Sequence, residues 1–438
     1  MSGGVKKLLL LVTTAVACLG LAACTSNKNS GSSGDNGNKK VTIRFSWWGN
    51  ADRHKATLKA IKAFEKKNPN IKVKAEYSGW DGFDQKMATQ ISGGTEADLM
   101  QLNYDEYLNF SPDGKGFADL NKYKNIIDLS GFPKDALQAG TIKGKLNGIP
   151  HGENKRVVVV NKTVLNKAGI DSYPTTWTGW QKAAKKLPAD HYPMEFSSFL
   201  DIICYITQKT GKSFLDANGH INYSEAQIKD GFDWYKKMVN TGATPSRKWV
   251  LDTVGSDSVA ATKEFLNGEI TGVFDWTALM SSYATNLKPT GMKLDVPPFP
   301  LAKGAKTAGV LQKPTMLFSI SKHSQHPKEA AKLLNFILND PAGVKAMGTS
   351  RGMPVNTKAQ KILEKSNAVD DITKQSVDYM AKTKGVTESR YLELSQVNDA
   401  YAQVTDSFGV GNINSTQAAK QVISKVNAAV KQVKSKIN

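Results

Sequence analysis

The sequence predicts an α/β protein: mostly parallel sheets with helices packed on them. Three observations carry this. Strand-like and helix-like runs alternate from Val41 to Asn103. Runs such as "VTIRFSWW" and "RVVVVN" are β-branched or aromatic on both parities, as in strands buried on two faces. The chain has 438 residues, 40% hydrophobic and 22% charged, enough for a large core and for more than one domain.

The elements follow in order. "VTIRFSWW" is the first strand. "ADRHKATLKAIKAFEKKNP" is a helix with Leu58, Ala60, Ile61 and Phe64 on one face; Asn68-Pro69 stops it, and Asp52 is its expected cap. "IKVKAEYS" is a second strand, "DGFDQKMATQISGG" a helix ending at glycines, and "ADLMQLN" a short third strand. "RVVVVN" then leads to a helix ending at Gly169, and Thr176 caps the helix of "YPTTWTGWQKAAKKL". Helical patterns run from Phe196 to about Val239. "ITGVFD" and "PTMLFSIS" return as strands, and the chain from Asn356 on is almost entirely helical.

The N-terminus is a leader. Lys6 and Lys7 precede the apolar run Leu8 to Ala23, too short to span a bilayer comfortably and suited to export. The run ends in "LAAC", which resembles a bacterial lipobox. That resemblance implies cleavage after residue 23, lipidation of Cys24 and a lipid-anchored protein on the outer face of the membrane, where two acyl chains hold firmly. Residues 24–40 are polar and Gly/Ser/Asn-rich, a flexible tether. With Cys24 lipidated, Cys204 has no disulfide partner; in "FLDIICYIT" it reads as a buried thiol.

In open α/β sheets, ligands sit beyond the carboxyl ends of the strands. Trp47 and Trp48 end the first strand, Trp80 follows the second, and Asn103 and Tyr104 follow the third. One tryptophan of the adjacent pair must face the core, because neighbours on a strand point opposite ways. The cleft position is given to Trp48.

The ordered pieces "IRFSWWGNADRHK…ADLMQLN", "GIPHGENKRVVVVNKTVLNKAGI", "YPTTWTGW", "SISKHSQHPKEAAKLLNFILNDPAG" and "RGMPVN" resemble the extracellular solute-binding proteins (family 1) of ABC importers for carbohydrates. The resemblance implies a two-lobed periplasmic-binding-protein-like fold with a hinge: residues 41–150 and a return near 310–345 in one lobe, 151–309 and the helices of 346–438 in the other. It also implies an oligosaccharide held in the interlobe cleft, lobe closure, delivery to permease subunits in the membrane, a monomer, and no cofactor. A lipid-anchored adhesin or scaffold without transport cargo is the alternative.

A pyranose offers C–H faces to aromatic rings and hydroxyls to planar polar groups. Trp48, Trp80, Tyr104 and Trp276 are the expected platforms. Arg53, His54, Asp81, Asn103, His151, Asn154 and Arg351 are the expected polar contacts. Trp177 and Trp180 are expected in the core.

Enzyme motifs are not supported. "GTSRG" fits a nucleophile elbow in letters only, since a helix pattern precedes it and Met353-Pro354 follows. There is no phosphate loop, no H-E-x-x-H and no Cys/His cluster for a metal. The net charge is +19, of which about +15 lies in the body beyond Lys40. Its lysines are scattered along helices, unlike a nucleic-acid-reading surface. Two readings of the charge remain: a basic surface against an anionic envelope, or a positive cleft for uronates, with Arg53 or Arg351 taking the carboxylate. Neutral and uronate-containing oligosaccharides both stay open.

Overall fold

Eight residues from Val41 to Trp48 form the strand around which the first sheet is organised. The computed structural model describes residues 40–195, 199–254, 259–366 and 369–437. The leader, Cys24 and the tether up to Lys39 lie outside the described residues. The main elements are β1 (Val41–Trp48), α1 (Ala51–Lys67), β2 (Ile71–Ser78), α2 (Phe83–Ser92), β3 (Leu99–Leu102), β4 (Ile149–Pro150), β5 (Glu153–Asn161), α3 (Phe199–Thr210), α4 (Glu225–Asn240), β6 (Gly272–Trp276), α5 (Met280–Leu287), β7 (Leu311–Pro314), β8 (Leu317–Ile320), α6 (Pro327–Asn339), α7 (Pro341–Met347), β9 (Val386–Thr387), α8 (Ser395–Gly409) and α9 (Ser415–Ile437).

Two sheets make two lobes. The first has the order β2-β1-β3-β8-β4, the second β9-β7-β5-β6. In the first, β1 pairs in parallel with β2 and β3, whereas β8 runs antiparallel to β3 and β4. In the second, only β7 and β9 are parallel; β5 pairs antiparallel with β7 and β6. The expectation of mostly parallel pairing therefore holds in the first sheet's β2-β1-β3 unit and not in the second sheet. The reason is traffic through the hinge. β5 carries the chain out of the first lobe and β7 carries it back, so the two must run in opposite directions.

The segment "PTMLFSIS", expected as one strand, begins its strand only at Leu317. Residues before it, Leu311–Pro314, belong to the other sheet, and the chain changes lobes at Thr315-Met316. The crossings are laced together. His151 N–H donates to the Met316 carbonyl (2.9 Å), Thr315 N–H to the Gly152 carbonyl (2.8 Å), and Val355 N–H to the His151 carbonyl (2.9 Å). A Cβ at Gly152 would lie 2.6 Å from the Met353 carbonyl oxygen, so only glycine lets these strands approach.

Strand alternation divides the first lobe's core. Ile43, Phe45 and Trp47 pack with Phe64 and Phe336 on the α1 and α6 side, while Trp48 and Met100 pack with Phe83 and Met87 on the α2 side. In α1 the buried positions are Arg53, Thr57, Ala60, Ile61 and Phe64. Leu58 lies off that stripe and is 38% exposed, against expectation. The cap of α1 is also not Asp52: Asn50 accepts the Arg53 N–H at 3.0 Å, and Asp52 only occupies the first turn. In the second lobe Trp177, Trp180 and Cys204 are buried as expected, packed with Phe199, Phe232 and Tyr401, and Thr176 caps its helix by accepting the Gly179 N–H. The C-terminal helices α8 and α9 complete this core through Val404, Val422 and Val426.

Candidate functional site

The two tryptophans at the end of β1 divide as strand geometry requires. Trp47 is fully buried, stacked on Tyr77 at 4.9 Å, and donates its indole N–H to His54 Nδ1 at 3.2 Å. Trp48 points to the other face but, against the expectation of an open platform, is itself buried, 7% exposed among Phe83, Met87 and Met100. Its ring meets Trp80 edge-on at 5.2 Å and Phe83 at 5.3 Å. Trp80 is 47% exposed, so it is presented at the rim with the exposed Asp81 beside it.

A basic cluster lies at the amino end of α1. Arg53 donates through Nε to the Ser350 carbonyl (3.1 Å) and through Nη1 to the Trp48 carbonyl (3.4 Å). Arg351, the residue after Ser350, is fully buried. It donates through Nε to Gln101 Oε1 at 2.8 Å, while the Gln101 amide nitrogen donates to the Trp48 carbonyl at 3.2 Å. The Arg351 Nη2 and His151 Nδ1 are buried without a hydrogen-bond partner. Burial lowers the Arg53 guanidinium to a pKa of about 10. Burial, then the charge of Arg53, holds Arg351 well below the ordinary guanidinium range. Burial, Arg351 and Arg53 together push His151 down to about 3, and the same causes lower His54. The arginine ion pairs found among the described residues belong to Arg44, Arg156 and Arg247, and no carboxylate neutralises Arg53 or Arg351.

The neighbouring end is built differently. Tyr104 is buried, and its hydroxyl donates to the Glu388 carbonyl across the lobes at 2.8 Å, while the Arg390 guanidinium lies 5.8 Å from its ring. Trp276 ends β6 half-buried, with the Lys313 ammonium 4.5 Å from its ring centre. Lys313 is ion-paired with Glu393. Burial opposes the Lys313 charge, but Glu393 and Glu388 outweigh it and hold its pKa up. Burial, then Glu393, pushes the Asp105 carboxyl up to about 7. Burial also raises Glu106 and Glu388 well above the carboxylate range. Asn103 is half-buried, and its N–H donates to Glu106 Oε2. Asn154 spends its carbonyl oxygen on Thr277 Oγ1 (3.0 Å) and the Ala278 N–H (2.9 Å), fixing the turn that follows Trp276.

Of the residues expected from sequence, the structure thus gathers Arg53, His54, His151 and Arg351 in one group. It places Trp48, Trp80 and Tyr104 beside it in the first lobe, with Trp276 and Asn154 on the second. Asp81 stands at the exposed rim. The lobes are in contact: Asn50 Nδ2 donates to Ser282 Oγ at 3.1 Å, and Arg390 reaches the Ala139 carbonyl at 2.6 Å. A groove of about 630 Å³ runs along the hinge strands, lined by Gly152, Glu153, Lys155, Lys313 and Pro354; none of the expected ligand residues lines it. Sequence reasoning missed Gln101, Asp105, Lys313, Glu388, Arg390 and Glu393. A lysine inside a strand before Pro314 was the one local signal; the carboxylates of "VTESRYLE" sit in an ordinary-looking helical segment.

Residues 50–344 match the family model of bacterial extracellular solute-binding proteins. A solved periplasmic oligogalacturonide binding protein from Yersinia enterocolitica, in complex with saturated digalacturonic acid, is 36% identical; the match covers 91% of this chain and 100% of that one, with a TM-score of 0.83. A periplasmic solute binding protein from Pectobacterium atrosepticum SCRI1043 gives the same identity, coverage and TM-score. A maltodextrin-binding protein from Bacillus subtilis is 23% identical over 81% of this chain and 82% of its own. With two lobes, a laced hinge and polar groups gathered where the lobes meet, the chain belongs to the bacterial extracellular solute-binding proteins, a family of binding proteins and not of enzymes.

Proposed function

We propose that this protein is the substrate receptor of an ABC importer and that it captures a uronate-bearing oligosaccharide between its lobes. The observation that carries this is the pair Arg53 and Arg351, both buried and without a carboxylate partner among the described residues. A buried charge without a counter-charge costs several kcal/mol. An arginine keeps its proton where a lysine would shed it. The counter-charge is therefore supplied by the ligand, and a planar carboxylate suits a guanidinium fork. Trp80 and Trp276 supply the aromatic faces for the rings of the sugar, with Trp48 packed behind Trp80. The Yersinia relative, whose name gives oligogalacturonide as its ligand, supports the same substrate class.

The importer's permease subunits are the second partner, reached when the lobes close on the sugar with contacts from both sides. Lipidation of Cys24 would keep the receptor on the outer face of the membrane. "LAAC" supports this, and a Cys24→Ala chain should fail to take up labelled fatty acid and be shed from cells.

Titration calorimetry of the full chain with uronate-bearing and neutral oligosaccharides of equal length tests the ligand class. Uronates should bind, more weakly as salt rises, because charge pairing is screened. Tight, salt-insensitive binding of the neutral sugars with none for uronates would remove this reading.

A further inference from the structure

Arg351 is fully buried, and the side chains that hold it are all neutral. Its Nε donates to Gln101 Oε1 at 2.8 Å, its Nη1 lies 3.9 Å from the Met347 sulfur, and its guanidinium stands 5.7 Å from the Phe318 ring centre. Its Nη2 is buried with no hydrogen-bond partner. Gln101 is the hub of this cradle. It lies fully buried in β3, directly across from Phe318 on β8, so the two side chains share one face of the sheet. Its amide can face only one way. An arginine only donates and a carbonyl only accepts, so the amide oxygen meets Arg351 and the amide nitrogen meets the Trp48 carbonyl, at 3.2 Å. That same carbonyl accepts from Arg53 at 3.4 Å, and Arg53 also donates to the Ser350 carbonyl. One amide therefore holds Arg351 directly and is tied to Arg53 through the carbonyl they share.

We infer that Gln101 sets the acid preference of the site: as a neutral positioning residue it orients Arg351 without cancelling its charge. The inference rests on the uronate reading and deepens it, naming the residue that leaves the counter-charge for the ligand to supply. A glutamate has the same length and would reach the same Arg351 Nε. It would set a carboxylate against the guanidinium, and a ligand carboxylate would then meet a neutral pair in place of a free cation. It would also turn lone pairs toward the Trp48 carbonyl, to which the amide nitrogen now donates. An apolar residue would leave the charge free but unaimed, with Arg351 Nε short of its acceptor. Glutamine meets both demands, because its amide accepts and donates and carries no charge.

The test is calorimetry of the full chain at neutral pH with digalacturonate and with its dimethyl ester, which has the same rings and hydroxyls and no charge. The unmodified protein should bind the acid at least roughly tenfold tighter than the ester. Gln101→Glu should remove that preference, bringing acid and ester to within about threefold of each other, and should flatten the salt dependence of acid binding. Gln101→Met, which removes both hydrogen bonds and adds no charge, should weaken both ligands and keep the preference for the acid. The ratio of the two affinities is the readout, because general damage to the fold lowers both alike. Met347→Glu brings a carboxylate to the same guanidinium through its Nη1. It is the second variant if Gln101→Glu folds poorly, with the same expectation. An unchanged acid preference in the glutamate variant overturns the inference and leaves the uronate reading standing. A loss of preference in Gln101→Met as complete as in Gln101→Glu does the same, since Gln101 would then act by shape alone. If the unmodified protein binds the ester as well as the acid, the uronate reading fails and the inference falls with it.

Discussion

The basic and acidic ends of the site sit side by side, yet the fold treats them differently. At the acidic end the chain supplies partial answers to its own charge: Lys313 pairs with Glu393, and Arg390 stands over Tyr104. At the basic end no carboxylate among the described residues does so, and Arg351 is held by the Gln101 amide oxygen, by the Met347 sulfur at 3.9 Å and by the face of Phe318, 5.7 Å away. A self-compensated cluster is what folding alone favours. An uncompensated one is retained at a cost to stability, and a binding function accounts for that cost.

The largest expected effect would break this contrast directly. Arg351→Met should lower affinity for a uronate-bearing ligand by ~100-fold, since removing one partner of a buried charge pair costs ~2–5 kcal/mol. The same variant should raise the melting temperature of the ligand-free protein, because an unpaired buried charge has gone. A variant that loses affinity and stability together would make Arg351 an ordinary structural residue. The two signs are read by calorimetry and by thermal unfolding.

The pH dependence of stability should have opposite sign at the two ends. His151 is held at about 3 in the folded chain against 6.5 when unfolded, so the unfolded chain binds more protons in between. Stability is lost as pH falls from 6.5 toward 3, and His151→Asn should flatten that limb. Asp105 is raised from 3.8 to about 7, so the folded chain binds more protons. Its contribution is complete below 3.8 and is lost as pH rises toward 7, and Asp105→Asn should flatten that limb instead. Denaturant unfolding at a series of pH values measures both. A single limb moving in both variants would mean the ends are not independent.

Smaller effects sharpen the geometry. Trp276→Ala should weaken binding by ~1–2 kcal/mol, as loss of an aromatic platform does, with little change in salt dependence. Tyr104→Phe removes one hydrogen bond between the lobes, worth ~1 kcal/mol, and should show mainly as a wider ligand-free solution envelope in small-angle scattering.

Much of this is legible in the amino-acid sequence. Alternating strand and helix patterns located β1, α1, β2, α2 and β3, and the β-branched run "RVVVVN" located β5. The adjacent tryptophans divided by strand parity, a local rule that needs no tertiary knowledge. What escaped was set by contacts distant in sequence. The pairing direction of the second sheet depends on which way the chain crosses the hinge. The exposure of Leu58 depends on which face of α1 the sheet covers. Arg53 and Arg351 could be nominated singly, but their meeting through Ser350, 297 residues from Arg53, could not. The acidic end was unreadable for the same reason, since it joins residues near 105, 313 and 390.

The most direct measurement is a crystal structure of the protein with a uronate-bearing oligosaccharide. The account predicts the ligand carboxylate within hydrogen-bond distance of Arg53 and Arg351, with a sugar ring lying on Trp276. A carboxylate seated instead on Lys313 or Arg390, with both buried guanidiniums untouched, would contradict it.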